Sequence, residues 1–290
     1  MKNNYNMPSY TAGRTYTFKP LSELDLADNF MFVKVMTDPD ILKEFLQIIL
    51  HIKIKNITFS EYEKSIFADH SAKSIRMDIY ADDDSGKKYC VEMQAAVEYN
   101  IAKRSRYYQS VIDIDSLSKG DTYDKLKDTY VIFICMFDPF QMGMQKYVFE
   151  KRCVNAADEL ALNDGICTII LADNKGEPVI DEFFNYLKNS TNEQAAKSSS
   201  KLVKLLNDKV NNVRLNTSLE VEYLKFEQLQ REQYERGRQI GIEEGIEYGI
   251  EHGKTQIIKN MIAMNIPEND ICAITDCDAD FIEQVRASAE

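Results

Sequence analysis

Residues 74–94 read SIRMDIYADDDSGKKYCVEMQ, and three of their side chains could act together: Asp78, Glu92 and Gln94. Apolar residues alternate around them. The stretch therefore predicts two strands, at about 75–81 and 88–94, joined by the tight acidic turn DDDSGK. Glu92 and Gln94 lie two apart and share one face of their strand. A suitable register sets Asp78 opposite them, roughly 5 Å away. Two carboxylates that close repel each other unless a cation lies between them. Mg2+ suits such a place, because it takes hard oxygen ligands and keeps several waters. Held there, it can orient a phosphate and acidify a water. The same spacing also describes the solvated outer face of an ordinary hairpin, and the three residues alone do not separate the two readings.

The rest of the composition narrows the chemistry. Only three histidines occur, His51, His70 and His252, which argues against a Cys/His zinc site or a Ser-His triad. Six cysteines show no CxxC pair and mostly sit in strand-like apolar runs, so they read as reduced core thiols of a cytoplasmic protein. No apolar run approaches the ~20 residues of a bilayer span; the longest, YVIFICMF at 130–137, is strand length. The opening MKNNYNMPSYTAGR has no apolar stretch behind its charges and does not read as a secretory signal. No membrane partner and no organic cofactor are expected. The net charge is −12, but residues 220–290 carry 16 acids against 7 bases, so the acidity belongs mainly to the tail. The near-neutral remainder keeps local basic patches that can meet phosphates.

The elements that would position the three side chains follow in order. Residues 1–20 read as an extended arm. Phe30, Val33, Leu42, Phe45, Leu46 and Ile49 fall at helical spacing, with Pro39 separating two helices. KIKNITFSEYE at 53–63 alternates as a strand, and FADHSAK reads as a polar loop before the hairpin. EYNIAKRSRYYQSVIDIDSLS at 98–118 is an amphipathic helix stopped at Gly120. TYVIFICMFD is an unbroken apolar run, as in a strand buried on both faces. MQKYVFEKRC and GICTIILAD add two strands, and Pro178 opens a further helix. This order predicts an α/β fold with a mixed central sheet flanked by helices.

The series D-x-F at Asp28, R-x-D at Asp78, E-x-Q at Glu92 and Gln94, R-x-x-YY at Arg104 and G-x-x-Y at Gly120 resembles the PD-(D/E)xK nuclease superfamily. More closely it resembles the Rpn family of recombination-promoting nucleases, also called PD-(D/E)xK family transposases. That resemblance implies a restriction-endonuclease-like fold and a Mg2+-dependent DNA endonuclease, with Mn2+ as a substitute, in recombination or transposition. It makes Asp78 and Glu92 the metal ligands, Gln94 the residue at the place of the superfamily's usual Lys, and Arg104 a phosphate contact. Met77 stands where the parent pattern has proline, which shapes backbone and carries no chemistry. Gln can position a water or a phosphate oxygen only by hydrogen bonds. Asp28 is either a third catalytic carboxylate or an ordinary acid at a helix N-terminus. Arg106 is solvated or ion-paired, and Tyr107 and Tyr108 serve in packing or in base stacking.

The polar stretch STNEQAAKSSS marks a boundary near residue 190. The expected division is an arm at 1–20, a nuclease-like domain at 21–190, a helical, glycine-periodic segment at 191–260 and a short helical tail at 261–290. Gly237, Gly241, Gly245, Gly249 and Gly253 recur every four residues beside Ile242, Ile246 and Ile250. Each glycine costs a helix about 1 kcal/mol relative to Ala. Such a stripe lets two helices approach closely, so a homodimer through residues 236–260 is expected; a flexible tether is the other reading. The tail at 265–290 holds seven acids and one arginine, which opposes groove binding. A catalytically weak or inactive nucleic-acid-binding or protein-assembly module on the same fold is the competing function.

Overall fold

The computed structural model describes residues 18–59, 65–66, 75–97, 100–156 and 160–287, with backbone alone at 65–66 and 75–76. The expected arm falls outside them up to residue 17, as does the polar loop at 67–73. Two compact units emerge, Lys19–Tyr223 and one formed chiefly by residues from Leu224 onward.

In the first unit, a 3-10 turn at Leu21–Glu23 precedes α1 (Asn29–Met36) and α2 (Pro39–Leu50). Pro39 is the first residue of α2, and the Asp38 carboxylate caps it by accepting from the Asp40 and Ile41 amides. The six apolar residues read from helical spacing are all buried. The sheet follows: β1 (Ile57–Phe59), a separate short pair β2 (Ser65–Ile66) and β3 (Ile75–Arg76), then β4 (Ile79–Asp83) and β5 (Lys88–Gln94). Helix α3 (Ile101–Ser116) crosses to β6 (Thr129–Cys135), and β7 (Lys146–Phe149) and β8 (Ile166–Ala172) complete a six-stranded sheet of order β1-β4-β5-β6-β8-β7. β5, β6 and β8 run parallel, while β4 and β7 are antiparallel to their neighbours. The sheet is mixed, as the element order implies.

The apolar run at 129–135 lies at the centre of the sheet, and Val131 to Cys135 are fully buried. Alternation sorts the strands. Cys90, Val131, Phe133 and Cys135 join Ile101, Tyr108, Val111 and Ile112 of α3 in one core. Glu92 and Gln94 share parity with Cys90 and so point to the α3 face. On α3, Ile112 is fully buried and Ile114 is exposed.

Helices α4 (Pro178–Lys188), α5 (Asn192–Ala196) and α6 (Lys201–Arg214) follow. α6 meets α1, α2, α4 and α5, so the unit continues past residue 190, where the composition shifts. Arg214 ties its end down by donating to the carbonyls of Ser190 and Leu24. Helix α7 (Thr217–Ala263) is a single 47-residue helix that carries all five periodic glycines. In the second unit Ile258 and Met261 of α7 form a small core with Ile271 of α8 (Glu268–Thr275) and Ile282 and Val285 of α9 (Ala279–Ala287). No helix among the described residues is long and apolar enough to cross a membrane.

Candidate active site

The hairpin is built by its turn. The Asp83 carboxylate accepts from the Ser85 and Lys87 amides, and Gly86 takes φ +82°, which a side chain would resist. The pairing Ile79↔Val91, Tyr80↔Cys90 sets the register. One expectation needs correction here: the first strand is not continuous over 75–81. The ladder breaks at Met77 and Asp78, between β3 and β4. The break lets Asp78 use its side chain where backbone pairing would otherwise run. Its Oδ2 accepts from the Met93 amide at 3.0 Å, and its own amide donates to Glu92 Oε1 at 2.9 Å. Asp78 and Glu92 are thereby locked side by side through two backbone groups.

Glu92 is 2% exposed, on the face that α3 covers. Tyr108 donates its hydroxyl to Glu92 Oε2 at 3.2 Å, and Arg104 Nη2 lies 3.6 Å from the same oxygen. Burial, and then the charge of Asp78, push the Glu92 carboxyl up to about 8, against the pull of Arg104 and the hydrogen bonds it receives. Burial also raises the Cys90 thiol and the Tyr108 phenol, so both stay neutral beside it. Gln94 is buried too. Its Oε1 accepts from Arg104 Nη1 at 2.6 Å, and its Nε2 donates to the Met93 carbonyl at 3.0 Å. Both ends of the amide are thus engaged within the protein.

Arg104 and Tyr108 lie four apart, on one face of α3. The guanidinium sits 5.6 Å from the Tyr108 ring centre and 5.5 Å from that of Phe133. Arg106 is exposed, and Tyr107 is partly buried against the core. Asp28 precedes α1. Its carboxylate binds Lys19 Nζ at 2.8 Å and the Asp25 amide at 2.8 Å. Among the described residues no three metal-ligating side chains gather into one cluster. The next residue, Asn29, reaches the site instead, donating from Nδ2 to Asp78 Oδ1 at 3.3 Å. Nothing in the sequence singles out Asn29 except its place beside Asp28 at the start of α1. The role of Tyr108 had a signal: its four-residue spacing from Arg104.

The arrangement couples two carboxylates, one buried and hard to ionise, to one permanent cation at the end of a buried sheet. Two carboxylates are hard oxygen donors, which suits a divalent cation.

Residues 24–176, a stretch that holds Asn29, Asp78, Glu92, Gln94, Arg104 and Tyr108, match the family model described as PD-(D/E)XK nuclease family transposase. No curated protein and no solved structure matches the chain.

Proposed function

Because the chain belongs to the PD-(D/E)XK nuclease family transposases, we propose that it is a divalent-metal-dependent DNA endonuclease serving recombination or transposition. The observation that carries this reading is the pairing of Asp78 with the buried Glu92 beside Arg104. Nucleases of this superfamily generally use divalent metal ions, and the donor set fits one: two hard carboxylates whose mutual repulsion a divalent cation relieves. Asp78 and Glu92 would hold Mg2+, or Mn2+ in its place. Such an ion supplies neutralising charge and lowers the pKa of water.

The chain's own residues do the rest. The Met93 amide and Asn29 fix Asp78; Tyr108 fixes Glu92. Asp28 acts indirectly, through the start of α1, where its carbonyl accepts from the Phe32 amide. In the reaction a water oxygen bonds to phosphorus and one P–O ester bond breaks. The water gives up a proton and the leaving oxygen takes one, leaving a phosphate monoester and a hydroxyl end. Six free cysteines suit the reducing cytoplasm as its place of work.

The test is plasmid cleavage with Mg2+ or Mn2+, comparing the wild type with Asp78→Ala and Glu92→Ala. Metal-dependent cleavage lost in both variants is expected. DNA binding without cleavage by the wild type would move the function to a binding module, and cleavage surviving both substitutions would place the chemistry elsewhere.

A specific observation also favours assembly. A Cβ built on any of the five periodic glycines of α7 meets nothing within 4 Å, so no contact inside the described chain compensates for their helix cost. Ile242, Ile246 and Ile250 beside them are exposed. A homodimer through residues 236–260 offsets that cost by close helix approach. Sedimentation of a chain truncated at 235 tests it; an unchanged mass removes it.

A further inference from the structure

Gln94 occupies the strand position where the superfamily's motif carries its Lys, yet its amide is turned to the protein. Oε1 accepts from Arg104 at 2.6 Å and Nε2 donates to the Met93 carbonyl at 3.0 Å, on a residue 8% exposed. Arg104 therefore does more than sit on the surface of α3. Its other terminal nitrogen donates to the Tyr108 hydroxyl at 3.2 Å and lies 3.6 Å from Glu92 Oε2. Its plane rests near the rings of Tyr108 and Phe133. A guanidinium keeps its charge at every working pH and holds its donors in a fixed fork. Building on the nuclease reading above, we infer that Arg104 supplies, from the neighbouring helix, the positive charge that a motif Lys would supply from the strand, and that Gln94 is the positioning residue that aims it.

In hydrolysis, negative charge gathers on the phosphate oxygens while the water oxygen bonds to phosphorus and the ester P–O bond breaks. A fixed cation beside the carboxylate pair stabilises that charge, and removing one such group costs on the order of 10²-fold in kcat. Of the charged groups in this scheme Gln94 bonds to the arginine, so its effect runs through Arg104.

The experiment uses the full chain. DNA cleavage and Mn2+ binding by calorimetry are measured for the wild type, Asp78→Ala, Arg104→Ala, Arg104→Lys, Gln94→Ala, Gln94→Ala/Arg104→Ala and Gln94→Lys/Arg104→Ala. Arg104→Ala is expected to lose roughly 10²-fold in kcat while binding Mn2+ as tightly as the wild type or more tightly, because a competing cation is gone. A purely structural role would weaken Mn2+ binding instead. Gln94→Ala is expected to lose about tenfold alone and nothing further once Arg104 is Ala. Gln94→Lys/Arg104→Ala is expected to regain at least about tenfold over Arg104→Ala, which is the direct sign of relocated charge. If Arg104→Ala does not fold, Arg104→Lys answers in its place: it keeps the charge without the fork, so a partial loss with Mn2+ binding intact is expected. Additive losses at the two positions, or no recovery by the Lys variant, overturn the inference. Mn2+ binding that depends on Asp78, with cleavage indifferent to Arg104, overturns it alone. A wild type with neither cleavage nor Asp78-dependent Mn2+ binding overturns the nuclease reading as well.

Discussion

Glu92 sets a sharp pH prediction for the metal-free protein. Its carboxyl ionises at about 8 in the fold, against an ordinary 4.5, chiefly because it is buried and then because Asp78 is near. Between those values the native chain holds a proton that the unfolded chain has already released. Stability must therefore fall as pH rises through that window, and each pH unit inside it costs about 1.4 kcal/mol. Glu92→Gln keeps the shape of the protonated form and removes the ionisation. Between about pH 5.5 and 7.5, in EDTA, the wild type should lose roughly 3 kcal/mol relative to Glu92→Gln. For a unit of this size that is a relative Tm drop of about 6–12 °C. Titrating groups away from Glu92 contribute equally to both chains and cancel in the comparison. Saturating Mn2+ should flatten the wild-type dependence and leave that of Glu92→Gln nearly unchanged, with about one proton released per ion bound near pH 6.5. Thermal unfolding followed by circular dichroism across this range decides it. Wild-type and Glu92→Gln curves that run parallel in EDTA would refute the buried, hard-to-ionise carboxyl.

Asn29→Ala should leave the unfolding free energy within about 1 kcal/mol of the wild type, since its bond to Asp78 is exposed and long, yet lower cleavage roughly tenfold by loosening Asp78. Asp28→Asn should keep cleavage within about threefold, because its carboxylate pairs with Lys19 in a half-exposed bridge worth at most ~1 kcal/mol; steady-state kinetics separates it from Asp78→Ala. Ser190→Ala should destabilise the first unit by about 1–3 kcal/mol in urea unfolding, for it strands the Leu26 amide, which now donates to the fully buried Ser190 hydroxyl at 2.7 Å. Replacing the five periodic glycines of α7 by Ala should raise helix stability by up to ~5 kcal/mol while weakening self-association, read by circular dichroism and sedimentation together.

Much of this architecture was legible in the chain. The periodic apolar residues of α1 and α2, the unbroken run of β6 and the DDDSGK turn all act over a few residues, where spacing and turn chemistry suffice. The proximity of Asp78, Glu92 and Gln94 was legible for the same reason: strand parity and a tight turn are local geometry. The break at Asp78 was not. It arises because a side chain takes over a hydrogen bond from the Met93 amide, a choice made between strands and not along one. Nor did spacing show that α6 closes the first unit, since that depends on its packing against α1, α2 and α4.

The sequence by itself determined the mixed sheet, the carboxylate pair and the arginine–tyrosine helix, because pattern and residue type act at short range. Tertiary structure alone decided that Asn29 reaches Asp78, that Glu92 is buried enough to resist ionisation, and that Gln94 faces Arg104. Each of these is a meeting of side chains from separate elements, and their burial and charge exist only once the elements have closed around them.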